Sequence, residues 1–155
     1  DGCRRILCLR SNSRMRMPAN KRTDAYHDVV EQAGLPALVR EVEFVKSDDE
    51  KSAVVAKILD ENPDIDGIFA GDDTMAAICL NVMKQRGLSA PDDIKVVGAD
   101  GARRTMTFMP DLTTVRQDID RIGELAAQSI IALVNGEKPE SNTKLPVELI
   151  EGKTA

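Results

Sequence analysis

The order of hydrophobic patterns along this chain predicts a doubly wound α/β domain, a mainly parallel sheet with helices on both faces. Two observations carry the prediction. A short strand-like run, a polar loop and a longer run with apolar residues at helical spacing follow one another three times between Arg5 and Arg86, and strands joined by helical crossovers lie parallel. The material for the core is aliphatic: 42% of the residues are hydrophobic, only 3% are aromatic and there is no Trp, which suits layers built from Val, Ile, Leu, Ala and Met.

The first unit starts with a strand over Arg5–Leu9, then a polar stretch from Arg10 to Asn20. Ala25, Tyr26, Val29, Val30 and Ala33 recur at helical spacing over Lys21–Ala33, and Gly34 and Pro36 stop the helix. In the second unit, Val39–Phe44 alternates apolar and charged residues as a half-buried strand does. Ser47 and Glu50 are spaced as a capping box ahead of Val54, Val55, Ile58 and Leu59, and Pro63 ends that helix. The third unit pairs a buried strand, Gly67–Ala70, with a helix over Thr74–Arg86 whose stripe is Met75, Cys79, Val82 and Met83. Lys95–Gly98 is a fourth strand, and an irregular segment, Ala99–Asp111, leads to a fifth at Leu112–Val115. The longest helix, Ile119–Val134, places Ile119, Ile122, Ala126, Ile130 and Leu133 on one face, and Leu145–Ile150 is the last strand.

The net charge is -5 with a pI near 5.0, so these residues alone are poor binders of a phosphate backbone. Three cysteines without CxxC spacing and a single histidine argue against a disulfide framework and against a zinc site. Cys3, Cys8 and Cys79 are expected to act as small hydrophobes in a reducing, cytoplasmic setting. No apolar run is long enough to span a bilayer and no signal peptide is recognisable. The expectation is no membrane partner. The first residue is Asp1 rather than Met, which points to chain upstream of it.

In a doubly wound sheet, ligands bind beyond the carboxyl ends of the strands. The loops at that edge carry Ser11, Asn12, Ser13 and Arg22, then Lys46–Asp49, then Gly71, Asp72 and Asp73, then Asp100, Arg103 and Arg104. The opposite loops, Gly34–Pro36, Asn62–Asp66 and Gly87–Asp93, are turn formers. Of the adjacent Asp72 and Asp73, one is expected to cap the third helix, leaving the other to accept hydrogen bonds from hydroxyl groups. Asp100 is either a turn residue or a ligand contact. Arg22 lies at the helix end that disfavours a cation, which suggests a specific partner. His27 is expected at the surface. Phe44 is either core or an apolar platform for a sugar ring.

Four segments resemble signatures of the lactose-repressor/galactose-repressor (LacI/GalR) family of transcription regulators, in the family's order. They are Gly2-Cys3-Arg4-Arg5-Ile6; Arg22 with Ala25-Tyr26; Ile68 through Ala76, similar to an apolar strand followed by Asn-Asp-x-Met-Ala; and Pro91-Asp92-Asp93-Ile94, Val97 to Asp100 and Pro110 to Asp118. The resemblance covers essentially the whole chain. It implies one lobe of a type I periplasmic-binding-protein-like fold over residues 1–155, with a sugar or small polyol as effector. Arg22, Asp72, Asp100 and Gln117 fall where family members hold ligand, and Asn12 and Phe44 complete the expected site. Asp72 stands in place of the usual Asn, Ala99 in place of the usual aromatic, and Gly101 where a second Asp is frequent.

The resemblance further implies a homodimer through Ala76, Cys79, Met83, Phe108 and Met109, and DNA contact only through an amino-terminal domain not contained in these residues. It implies that the helix at 118–137 belongs to an amino-terminal lobe; without that lobe, the helix is expected to pack on its own lobe or on a neighbouring copy. The expected action is binding without chemistry, with no catalytic residue, cofactor or metal. One rival is a periplasmic sugar-binding component of an ABC transporter. Another is an enzyme holding Mg²⁺ at Asp72, Asp73 and Asp100, but there is no P-loop, G-x-S-x-G or Gly-rich phosphate cradle to support it.

Overall fold

The computed structural model describes residues 2–12, 19–139 and 143–155. Six strands form one sheet: β1 (Ile6–Asn12), β2 (Leu38–Glu43), β3 (Gly67–Ala70), β4 (Lys95–Asp100), β5 (Thr113–Gln117) and β6 (Val147–Ile150). Their order across the sheet is β2-β1-β3-β4-β5-β6. Neighbours are parallel as far as β5, and β6 returns antiparallel to β5. The chain moves outward from β1 to β2 and then crosses back to β3, so the order reverses between β1 and β3. A crevice forms at such a switch point beyond the strand carboxyl ends.

Helices α1 (Ala19–Gln32), α2 (Asp48–Glu61) and α3 (Asp73–Gln85) follow the first three strands. Period-two alternation sorts the side chains of β1 between two layers. Leu7 and Leu9 join the larger core with Val42, Val55, Ile68, Val96 and Leu112 under α2 and α3. Cys8 turns the other way and meets Tyr26 and Val30 of α1. The Tyr26 hydroxyl donates to the Ile6 carbonyl at 2.7 Å and accepts from the Leu38 amide at 2.9 Å, tying α1 to two strands. The capping box is formed: the Glu50 amide donates to Ser47 Oγ at 3.3 Å, and Glu50 Oε2 accepts from the Ser47 amide at 2.8 Å. At the amino ends of β4 and β5, Thr154 Oγ1 donates to the Val96 carbonyl at 2.7 Å and accepts from the Thr113 amide at 2.9 Å. The returning tail thus closes that corner of the sheet.

Three expectations need correction. The segment after β4 contains a short helix, α4 (Arg103–Phe108), and β4 itself runs on to Asp100. The helix from Ile119 to Val134, α5, has the predicted bounds but buries no residue, and Ile122 and Ile130 are 43% and 62% exposed. Of the two placements expected for it, packing on its own lobe is not the one the chain adopts. Lastly, Ala76, Cys79 and Met83 are at most 1% exposed within the core of this chain. The apolar stripe of α3 faces the sheet, so these three residues offer a partner no surface. The outward side of α3 carries Thr74, Ala77, Leu80, Asn81 and Lys84. Phe108 is exposed, and Met109 is half-buried against the core.

Candidate functional site

Parallel register delivers the candidate residues to one edge. β1 ends at Ser11 and Asn12, β3 gives way to Gly71 and Asp72, β4 ends at Asp100 and β5 at Gln117. Arg22, one turn into α1, reaches over this edge. Its guanidinium donates to Asp100 Oδ1 at 2.6 Å through Nη2 and to the Gly71 carbonyl through Nη1. Gln117 Nε2 donates to the same Asp100 oxygen at 2.8 Å. Donors from α1 and β5 therefore converge on Asp100 at the end of β4, and the cation at the unfavourable end of α1 has the partner that its position suggests.

Asp72 is the N-cap of α3. Its Oδ1 accepts from the Met75 amide at 2.8 Å, while Oδ2 lies 3.4 Å from the Ser11 hydroxyl. One oxygen serves the helix and the other points along the rim. Asp73 is not the free acceptor expected from the sequence. It is 3% exposed, with Oδ1 accepting from Thr114 Oγ1 at 2.6 Å and Oδ2 from the Gly101 amide at 2.8 Å. Burial raises its carboxyl above the ordinary value; the hydrogen bonds from Thr114 and Gly101 oppose this, and nearby Asp100 adds to the rise.

The backbone at this point is strained. Asp100 has φ 113°, the one non-glycine residue with positive φ among those described, a conformation costing about 1 to 3 kcal/mol that persists where its surroundings hold it. Gly101 follows at φ 59°, and a Cβ there would lie 2.5 Å from the Arg116 Cβ. Gly98 leaves room for Asp73, whose Oδ1 would be 2.5 Å from an added Cβ. Side-chain contacts and two glycines together shape the end of β4.

Asn12 and Phe44 occupy the β1–β2 end of the same edge, joined by the Phe44 amide donating to the Asn12 carbonyl at 3.1 Å. Among the described residues they share no hydrogen bond with the Asp100 group. Phe44 is 59% exposed with the Lys51 ammonium 5.8 Å from its ring centre, so it is a rim residue and not core. His27 is exposed, edge-on to Tyr26. A cavity of about 570 Å³ adjoins the site, lined among others by Gly101, Met106, Gln117, Ile119 and Val147. It shares Gln117 with the cluster but lies toward α4, the start of α5 and β6. Sequence reasoning placed Asp73 at this edge as an acceptor for ligand hydroxyls but missed its buried bonds to Gly101 and Thr114, and missed Thr114 altogether. That two adjacent aspartates cannot both cap one helix left the second one unassigned, and only the tertiary contacts with β4 and β5 show where it goes.

Residues 1–155 match the profile of the periplasmic binding protein-like domain. The ribose operon repressor of Halalkalibacterium halodurans is 31% identical over 99% of this chain and 46% of its own length. The sucrose operon repressor of Pediococcus pentosaceus is 30% identical over 99% of this chain and 48% of its own. The chain thus spans about half the length of the curated relatives it matches. Among solved structures, a LacI family regulator from Arthrobacter sp. FB24 in complex with lactose superposes with a TM-score of 0.79 at 25% identity, over 97% of this chain and 57% of that one. The Lac repressor bound to ONPG superposes with a TM-score of 0.83 at 24% identity, over 99% and 46%, a likeness of fold.

Proposed function

Because the chain belongs to the periplasmic binding protein-like domain family, with LacI/GalR-type repressors among its relatives, we propose that it is the effector-binding lobe of such a regulator. A sugar or small polyol is held at the carboxyl edge by Arg22, Asp72, Asp100 and Gln117. The observation that carries this reading is the convergence of Arg22 and Gln117 on a strained Asp100 at the edge where the strand order reverses. Fixed carboxylate oxygens accept from ligand hydroxyls, and a planar guanidinium orients them.

The action is binding, without chemistry. An effector that prefers the closed arrangement of two lobes shifts the population between operator-binding and released forms. The partners that this reading requires are DNA, through a helix-turn-helix outside these residues, and a second copy in a cytoplasmic homodimer. The helix at 118–137 belongs to the amino-terminal lobe, which its six exposed large apolar residues, from Ile119 to Val134, support. The alternative of a periplasmic receptor has no counterpart in the relatives named above.

A thermal-shift panel of ribose, sucrose, lactose and other sugars on the full-length protein tests the reading, since a ligand that binds the native state raises its midpoint. At least one sugar is expected to raise the midpoint and change operator affinity. A sugar that raises the midpoint with no effect on operator binding would contradict the regulator role, and no response to any sugar would contradict the sensor role.

A further inference from the structure

We infer that Asp73 is a positioning residue for the effector site: it touches no ligand itself but fixes Asp100 through the Gly101 amide. The inference rests on the proposed use of this rim for effector binding. Asp73 is enclosed and has no cationic partner among the described residues, a costly state for a carboxylate that serves packing alone. Both of its oxygens are committed, Oδ1 to the Thr114 hydroxyl and Oδ2 to the Gly101 amide.

These donors, with the Ala102 amide beside Gly101, mark what Asp73 controls. The Gly101 amide belongs to the peptide that joins it to Asp100, the residue held at φ 113°. Fixing that peptide fixes the direction in which the Asp100 carboxylate leaves β4, and Arg22 and Gln117 then meet the carboxylate in that direction. Thr114 lies in β5, three residues before Gln117. One buried carboxylate therefore ties the end of β4 to the strand that supplies the second donor to Asp100. Gly98 is part of the same device, since any larger residue would displace the Asp73 carboxylate. Position one of α3, where the helix dipole favours an anion, makes the buried charge tolerable.

The test compares Asp73→Ala with Asp73→Asn in the full-length protein, by amide hydrogen exchange over residues 97–104 and by calorimetry with D-ribose, sucrose and lactose as probes. Asp73→Ala is expected to speed exchange in 97–104 by about tenfold or more and to weaken whichever probe binds by about ten- to a hundredfold, the scale of one charged hydrogen bond. Exchange in 67–70 should stay as in the parent. Asp73→Asn still offers an acceptor to the Gly101 amide and should restore both readouts to within about threefold. A residue that only stabilised the fold would not separate the two variants at equal exchange in β3.

The inference is overturned if Asp73→Ala matches the parent in exchange and affinity, or if Asp73→Asn fails as Asp73→Ala does. Should Asp73→Ala not fold, Thr114→Val removes the one side-chain donor to Asp73 with little change of shape. A loss of affinity by about threefold or more then supports the inference, and parental affinity overturns it. If the parent binds none of the three sugars, that counts against the proposed effector class, while the exchange comparison still decides whether Asp73 holds Asp100.

Discussion

Arg22 and Asp100, 78 positions apart in the chain, meet at 2.6 Å on the carboxyl edge of the sheet. Neither side chain is freely solvated: they are 26% and 37% exposed. The pair joins the first turn of α1 to the end of β4, and the Gly71 carbonyl receives the remaining arm of the guanidinium. Removing the arginine leaves the Asp100 carboxylate with Gln117 alone.

Arg22→Ala is therefore expected to weaken effector binding in the intact protein by about 1.5 to 3 kcal/mol, the range for a hydrogen bond to a charged group. Arg22→Lys keeps the charge but has no planar fork to reach the Gly71 carbonyl and Asp100 together, and it should recover only part of the loss. Calorimetry with the effector found in the sugar panel checks both. Unchanged affinity in Arg22→Ala would remove Arg22 from the site.

Asp72 has two separable duties. Asp72→Ala removes the cap of α3 and should cost about 0.5 to 2 kcal/mol of stability in a urea titration. Asp72→Asn still accepts the Met75 amide and should be nearly neutral in the same titration. Because Asn also donates, the same variant should change the ranking of sugars in the panel. A large stability loss in Asp72→Asn would show that the cap requires the charge.

Much of the fold was legible because local signals agreed. Ser47 and Glu50 announced their helix, the Gly67–Ala70 strand followed the turn formers of Asn62–Asp66, and the apolar pattern over Ile119–Val134 matched α5. Arg22, Asp72 and Asp100 were read at one edge from the loops and Gln117 from the resemblance; Arg22 and Gln117 both donate to Asp100. What escaped depends on tertiary contact. The positive φ of Asp100 lies among the contacts of Arg22 with Asp100 and of Gly101 with Asp73, which no local spacing reports. The interface role that the resemblance implied for Ala76, Cys79 and Met83 fell on the apolar stripe of α3, which the core of this chain covers, since a helical stripe shows which residues are apolar but not what covers them. The short helix at Arg103–Phe108 buries no residue, so no apolar stripe marked it.

The three thiols should differ in reactivity. Cys79 is fully buried and its thiol is pushed up to about 12; burial also raises Cys8 above its ordinary value. Cys3 is half-buried and donates to the Asp66 carbonyl at 3.4 Å. Thiolates are the reactive form, so iodoacetamide on the native chain at mildly alkaline pH should label Cys3 first, with Cys8 and Cys79 labelled only after denaturation. Labelling of Cys79 at the rate of Cys3 would contradict the packing of α3.

Asp73 sets a pH dependence of stability. Its folded carboxyl lies above the ordinary value of 3.8, so the folded chain holds that proton more tightly than the unfolded one. The resulting stability is fully present below 3.8 and is lost as pH rises through the folded value. At neutral pH the ionised side chain is a net cost that Asn does not carry. Asp73→Asn should therefore melt higher than the parent at about pH 7, and the gap should close below about pH 4. A lower melting point for Asp73→Asn at neutral pH would reverse the sign.

The most direct measurement is a crystal structure of the intact protein with the sugar that gives the largest thermal shift. Ligand hydroxyls are expected within hydrogen-bonding distance of Asp72 Oδ2, Asp100 and the Arg22 guanidinium, with Asp73 still enclosed behind them. A sugar bound elsewhere, with the Arg22–Asp100 pair untouched, would contradict the assignment of this edge as the sensor.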